Sequence, residues 1–238
     1  MICSDAVVPT SGLIFALYAS DYKNGKWTDR IGNLQVTIPR SAKFESNYVH
    51  LTGTALSVAL PTQPKALNSV TYVIRFRVSS APNIKGWVMS QSPDYSWSRA
   101  IAISDSRLGH VGQTPGSFDS RLGKIKVGSW NTLIGTWKQN GKCQTWLNGV
   151  AGKERTCRNG DSSSMRSLLI IGGRGVSDGG HNPKKIDIAY ALVYNRVISQ
   201  DDIGQIQNAL SGPSRPPGKK NTIDLLKASL YQSYMHRQ

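Results

Sequence analysis

Two groups of side chains have the types and spacing that sugar recognition asks for: an aromatic face with fixed polar groups beside it. Trp87, Tyr95, Trp97 and Arg99 lie on and around one short stretch. Arg174, Asp178 and His181, joined by Asn182, lie on and beside a loop at 175–185 that is rich in Gly, Asp and His. The first group also fits a plainer role, with Trp87 in the core and Tyr95 and Trp97 covering a sheet edge. Catalytic patterns are scarcer. A retaining glycosidase needs two carboxylates converging on the scissile bond. Glu45 and Glu154 are the only glutamates and are far apart, and Asp187 is alone on its stretch, so that chemistry is not expected. His50, His110, His181 and His236 show no local partner pattern, although a lyase using His and Tyr would draw on residues distant in sequence. No phosphate loop, nucleophile elbow or zinc spacing occurs, and no C-x-x-C.

These residues must be positioned by an all-β scaffold. With 23 Gly and 11 Pro in 238 residues and few long helical patterns, the chain suits a single sandwich with many turns and a core large enough to fold without staples. Ser69 to Ser79 alternates strictly: Val70, Tyr72, Ile74, Phe76 and Val78 make an apolar face, while Arg75 and Arg77 make the other face wet and basic. Further strands are expected at Leu34–Ile38, Tyr48–Leu51, Ala55–Leu60, Trp87–Ser90, Ala100–Ile103, Leu108–Val111, Leu122–Val127 and Thr132–Trp137. Asn140-Gly141 and Asn148-Gly149 are both type I′ hairpin signals, which makes Trp130 to Val150 a three-strand meander. Ile186 to Asn195 reads as a strand buried on both faces. Ser199 then stands at an N-cap, with Asp201 and Asp202 in the first turn and Ile203, Ile206 and Leu210 at helical spacing.

Five of these segments, in order, resemble the concanavalin A-like (laminin G-like) jelly-roll family. They are Gly12-Leu13-Ile14-Phe15-Ala16-Leu17-Tyr18 running into Ala19-Ser20-Asp21, the turn Trp27-Thr28-Asp29-Arg30-Ile31-Gly32-Asn33, the hairpin at Trp146-Leu147-Asn148-Gly149, the strand Leu168 to Gly173, and Val193-Tyr194-Asn195-Arg196-Val197-Ile198-Ser199. The match departs at Tyr190, where the family usually has an acidic residue. The resemblance implies an antiparallel β-sandwich over about residues 8–211, closed by a short helix, with carbohydrate or protein-surface recognition. Such modules often bind calcium. Asp178 and Asp161 could serve, but no loop has an oxygen-rich calcium spacing, so no metal or cofactor is expected. The family's fold also hosts glycoside hydrolases and lyases, which makes a polysaccharide-active enzyme the alternative to a non-catalytic module.

The sandwich domain is bounded at 1–211. Residues 212–221 form a Pro/Gly/Lys spacer, and Thr222 caps a helix to 238 with a stripe of Ile223, Leu226, Leu230 and Tyr234. That stripe either docks on the sandwich or anchors the chain to other structural subunits. The net charge of +15 favours anionic glycans, nucleic acid or an acidic neighbour. In the tail, five cations against Asp224 leave +4; the rest is scattered without an arginine run, so a specific nucleic-acid site is not expected. A basic subunit of a large ribonucleoprotein is a further alternative. Cys3, Cys143 and Cys157 are too few and odd for a secreted disulfide framework. A two-residue turn at Asn148-Gly149 leaves Cys143 and Cys157 not directly opposed, so bonding them needs a bulge or a longer loop. Met1-Ile2-Cys3-Ser4-Asp5 lacks a basic segment followed by an apolar run, and no stretch is long enough to span a membrane. The sequence alone therefore favours a module made in the cytosol without a signal peptide. It points to a virion surface component (a decoration, fibre or tail protein) that binds glycans or proteins at a host surface without catalysis.

Overall fold

The computed structural model describes residues 8–60, 68–79, 86–90, 100–104, 110–112, 125–138, 141–156, 168–173 and 185–210. Fourteen strands lie among them: β1 (Leu13–Tyr18), β2 (Lys43–Phe44), β3 (Val49–Leu51), β4 (Leu56–Ala59), β5 (Ser69–Val78), β6 (Gly86–Ser90), β7 (Ala100–Ser104), β8 (His110–Gly112), β9 (Asn131–Lys138), β10 (Lys142–Leu147), β11 (Val150–Ala151), β12 (Arg155–Thr156), β13 (Leu168–Ile171) and β14 (Ile186–Tyr194). One helix, α1 (Gln200–Leu210), follows the last of them. The larger antiparallel sheet runs β11-β10-β9-β5-β14-β3-β2, with β1 also on β14 and β12 also on β10; the smaller runs β4-β13-β6-β7-β8. The chain is an all-β sandwich with a short closing helix, as its alternating segments predict.

The core lies between the sheets, where Val70, Tyr72, Ile74, Phe76 and Val78 of β5 meet Leu56, Met89, Ile101 and Leu169 of the smaller sheet. β14 is buried along its whole length, and α1 covers the outer face of the larger sheet over the second half of that strand. Ile203, Ile206 and Leu210 pack there on Val73, Ile134, Trp146, Leu192 and Tyr194. Each such burial is worth about 1.5–3 kcal/mol. That packing holds an eleven-residue helix, a length that would be marginal alone in water. Its cap is reciprocal. The Asp202 amide donates to Ser199 Oγ at 3.1 Å, and the Ser199 amide donates to Asp202 Oδ2 at 2.8 Å. Arg196 adds an ion pair to the same carboxylate at 2.8 Å.

The Trp27–Asn33 turn is built around Asp29, which is 1% exposed. Its carboxylate accepts the backbone N–H groups of Ile31, Gly32 and Leu34, while the Trp27 indole N–H reaches the Tyr18 carbonyl at 2.7 Å. The Asn148-Gly149 hairpin is as expected: both residues have positive φ, 51° and 84°, and Leu147 pairs with Val150.

Three expectations are corrected. At the other hairpin the Gly141 N–H bonds the Lys138 carbonyl and Gly141 does not adopt positive φ, so the link is not a type I′ turn on Asn140-Gly141. Leu34–Ile38 is not a continuous strand but makes isolated bridges, Gln35 back to Thr28 of the preceding turn and Thr37 to Ser57 of β4. The described part of Leu122–Val127 is not strand, although Ile125 is buried in the core. The return past Asn148-Gly149 is split: Trp146 faces Ala151 in β11, but Cys143 faces Arg155 in β12, a shift of one residue. Cys143 is disulfide-bonded, and its partner lies outside the described residues. The spacer and tail helix, with Ile223, Leu226, Leu230 and Tyr234, also lie outside them. No helix among the described residues is long and apolar enough to cross a membrane.

Candidate functional site

Among the described residues α1 leaves one end of the larger sheet's outer face uncovered, and the strand registers deliver a row of functional side chains to it. Asp187 of β14 is paired with His50 of β3 on one side and Arg77 of β5 on the other. Lys43 of β2 faces His50. The β5–β9 register, with Phe76 opposite Asn131, puts Trp130 beside Arg77. Side chains opposed in this way share a face. A bulge in β14 between Ile188 and Tyr190 breaks its alternation. Asp187 and Tyr190, three residues apart, therefore both face outward, and Tyr190 shares that face with Arg75 and Thr132.

The row is tied together around Asp187, which is 4% exposed. Arg77 donates Nε to Asp187 Oδ2 at 2.8 Å and approaches the same oxygen with its second nitrogen at 2.7 Å. His50 Nδ1 lies 2.6 Å from Asp187 Oδ1. An ionised carboxylate only accepts, so this contact places the imidazole proton on Nδ1 and leaves the Nε2 lone pair outward. The Thr52 hydroxyl, 3.3 Å from Nε2, is the one described group near it. Partial burial alone would make Arg77 a weaker base, but the bond and charge of Asp187, with help from Tyr48, hold its guanidinium above the usual arginine value. Arg77 also lies over the Tyr48 ring at 5.0 Å and the Trp130 ring at 4.9 Å, and these two rings meet edge-on at 5.9 Å. Burial pushes the Tyr190 hydroxyl far up, so it is a neutral donor there. His50 and Arg77 keep 29% of their side-chain surface exposed, so a ligand can reach them.

This arrangement can do acid–base chemistry. A half-exposed imidazole, its tautomer fixed by a buried carboxylate, accepts a proton at Nε2, and the carboxylate stabilises the imidazolium that forms. Half-buried Tyr48 and Trp130 supply aromatic surface beside it. Three cations (Lys43, Arg75 and Arg77) against Asp187 and Glu45, which the β2–β3 register sets opposite Tyr48, leave the floor at +1. A concavity of about 340 Å³ lies at the opposite end of the same face, lined by Thr136, Lys138, Gln144, Trp146 and Gln200 among others. It holds no histidine, and the one carboxylate lining it, Glu154, forms an exposed pair with Lys142 at 3.7 Å. Among the described residues, no group of three or more His, Cys, Asp or Glu side chains could hold a metal ion.

The sequence-derived sugar candidates are not the residues that form this site. Trp87 falls on β6, opposite Ala102, but its side chain is outside what the structure describes. Tyr95, Trp97, Arg99, Arg174, Asp178 and His181 all lie outside the described residues, as does Asp161. The basic face of β5 was legible. The partnership of His50 with Asp187 was not, because 137 positions separate them.

No protein-family model matches this chain, and no curated protein sequence matches it. Solved structures do. Trypanosoma rangeli sialidase in complex with sialic acid aligns at TM-score 0.68 and 17% identity, over 87% of this chain and 34% of the sialidase. A mutant of the same sialidase displaying trans-sialidase activity aligns at 0.66 and 16%, over 86% of this chain and 34% of that one. The binding domain of botulinum neurotoxin serotype G aligns at 0.63 and 11%, over 84% of this chain and 51% of that one. What is shared is the fold. The chain spans about a third of the sialidases' length. These neighbours overturn the expectation of a non-catalytic virion module without enzymatic activity. They are mainly enzymes named for glycan chemistry, and they give the virion and host-adhesion reading no support. The polysaccharide-active alternative is the one that agrees with them.

Proposed function

We propose that this chain is the concanavalin A-like sandwich of a glycan-active enzyme, and that His50, oriented by Asp187, is its proton-transfer group. The observation that carries the reading is the 2.6 Å contact between a buried carboxylate and a half-exposed imidazole, set in an open face with Tyr48 and Trp130 beside it. Asp187 is tied up by Arg77 and His50, and the register sets the other carboxylate of this face, exposed Glu45, out at the β2 edge beside Tyr48, which argues for a lyase or a water-activating hydrolase over a carboxylate-nucleophile mechanism. In either case Nε2 of His50 takes the proton, Asp187 holds the imidazolium, and Arg77 holds Asp187. The fold likeness to sialidases supports this reading at the level of architecture alone.

The test is cleavage of a panel of neutral and acidic polysaccharides by the full chain, read by new reducing ends and by the ultraviolet absorbance of unsaturated sugar products. Cleavage with unsaturation marks a lyase, and cleavage without it a hydrolase. No cleavage of any member of the panel would overturn the proposal.

A further inference from the structure

The face around Asp187 carries more positive charge than its ion pairs use. Arg77 is committed to Asp187 and Tyr48. Arg75, two residues along β5 on the same face, is half-buried. It lies 5.9 Å from the Trp130 ring and close to the Tyr190 hydroxyl. No carboxylate among the described residues pairs with it. A cation partly withdrawn from water without a counter-charge carries a desolvation cost that a bound anion would offset. On the far flank, exposed Lys43 stands opposite His50. β3 and β5 are separated by β14, so they lie about 10 Å apart, the span of one sugar ring with its exocyclic group.

Resting on the reading that this face acts on glycans, we propose that its substrates are carboxylated sugars, with Arg75 taking the carboxylate and Lys43 adding attraction beyond His50. The guanidinium fork matches the planar, two-oxygen geometry of a carboxylate, which distinguishes this from attraction to any anion. The ring would then lie across Asp187 towards His50 Nε2, with Trp130 and Tyr48 along its edge.

The test is calorimetric titration of the full chain, at one fixed salt concentration, with polygalacturonate oligomers, with the same oligomers after carboxyl reduction, and with the reduced oligomers after sulfation. The native chain should bind the carboxylated oligomer and lose most of that affinity on reduction. Arg75→Met should weaken binding of the carboxylated form by roughly 10- to 100-fold. Arg75→Lys should recover part of it. Lys153→Met, which removes an equal charge from the exposed connection between β11 and β12, should change it less than about twofold. Thermal melting checks the fold of each variant, and Arg75→Lys keeps the test decisive if Arg75→Met unfolds. Equal affinity for the carboxylated and reduced oligomers would overturn the inference. So would equal affinity for the sulfated oligomer, or equal losses in Arg75→Met and Lys153→Met. Binding of the carboxylated oligomer without cleavage would leave this inference standing and remove the catalytic reading. Equal cleavage of both forms would do the reverse.

Discussion

Asp187→Asn tests whether the row on the outer face is held by a charge or merely by shape. The substitution is nearly isosteric, so it creates no cavity, and the whole effect comes from the carboxylate's hydrogen bonds. Asp187 accepts from Arg77 at 2.8 Å and from His50 at 2.6 Å, and it is 4% exposed. Breaking a fully buried ion pair by removing one partner costs about 3–5 kcal/mol. Here the partners keep 29% of their side-chain surface in water, which lets solvent recover part of the loss. That discount leaves roughly 2 kcal/mol, or about 4–8 °C in melting temperature for a sandwich of this size. Urea unfolding of Asp187→Asn, Arg77→Met and the double variant measures it. The double variant should be less destabilised than the sum of the singles by about 1 kcal/mol or more. A loss below about 0.5 kcal/mol in Asp187→Asn, or strict additivity in the cycle, would refute the reasoning.

Two further predictions concern the elements that position the site. Burial alone would raise the Asp202 carboxyl, but the bonds from Arg196 and Ser199 hold it below the ordinary carboxylate value of 3.8. The contribution of a depressed carboxylate is present above that value and lost as pH falls through the lower folded one. Asp202→Asn should therefore cost about 1 kcal/mol at neutral pH, and the gap to the native chain should close as the solution is acidified below 3.8; a gap independent of pH in chemical unfolding would contradict this. Gly172 has φ of +82°, and a Cβ there would come within 2.5 Å of Leu51 Cδ1 in the packed core. Gly172→Ala should destabilise by about 1–3 kcal/mol, and an unchanged melting temperature would show that the β3–β13 contact yields.

What could be read from residue order was whatever a local pattern specifies. The alternation of Val70 to Val78, the paired positive-φ residues Asn148 and Gly149, and the Ser199 cap each act over a few positions, and each appears in the structure where expected. Asp29 was visible as part of a turn motif, and the structure shows why that residue type is needed: its carboxylate gathers backbone N–H groups of the turn. The site was hidden for two physical reasons. His50 and Asp187 meet only through strand pairings that close 137 positions of chain, so neither residue carries a local sign of the other. The bulge after Ile188 then removes the simple alternation by which Asp187 and Tyr190 would be assigned to opposite faces. Likewise, Asn140-Gly141 has the composition of a two-residue turn, but the ladder of β9 and β10, with Trp137 opposite Cys143, leaves three residues between Lys138 and Lys142.

The central claim, that His50 moves a proton on a glycan, is tested most directly by His50→Gln. Its initial cleavage rate should be compared with that of the native chain on the polysaccharide the native chain cleaves fastest. Loss of a positioned acid–base group should lower turnover by roughly 10²- to 10⁴-fold while binding and melting temperature change little, since His50 is half-exposed. Turnover within a factor of about three of the native rate, well short of that loss, would contradict the account.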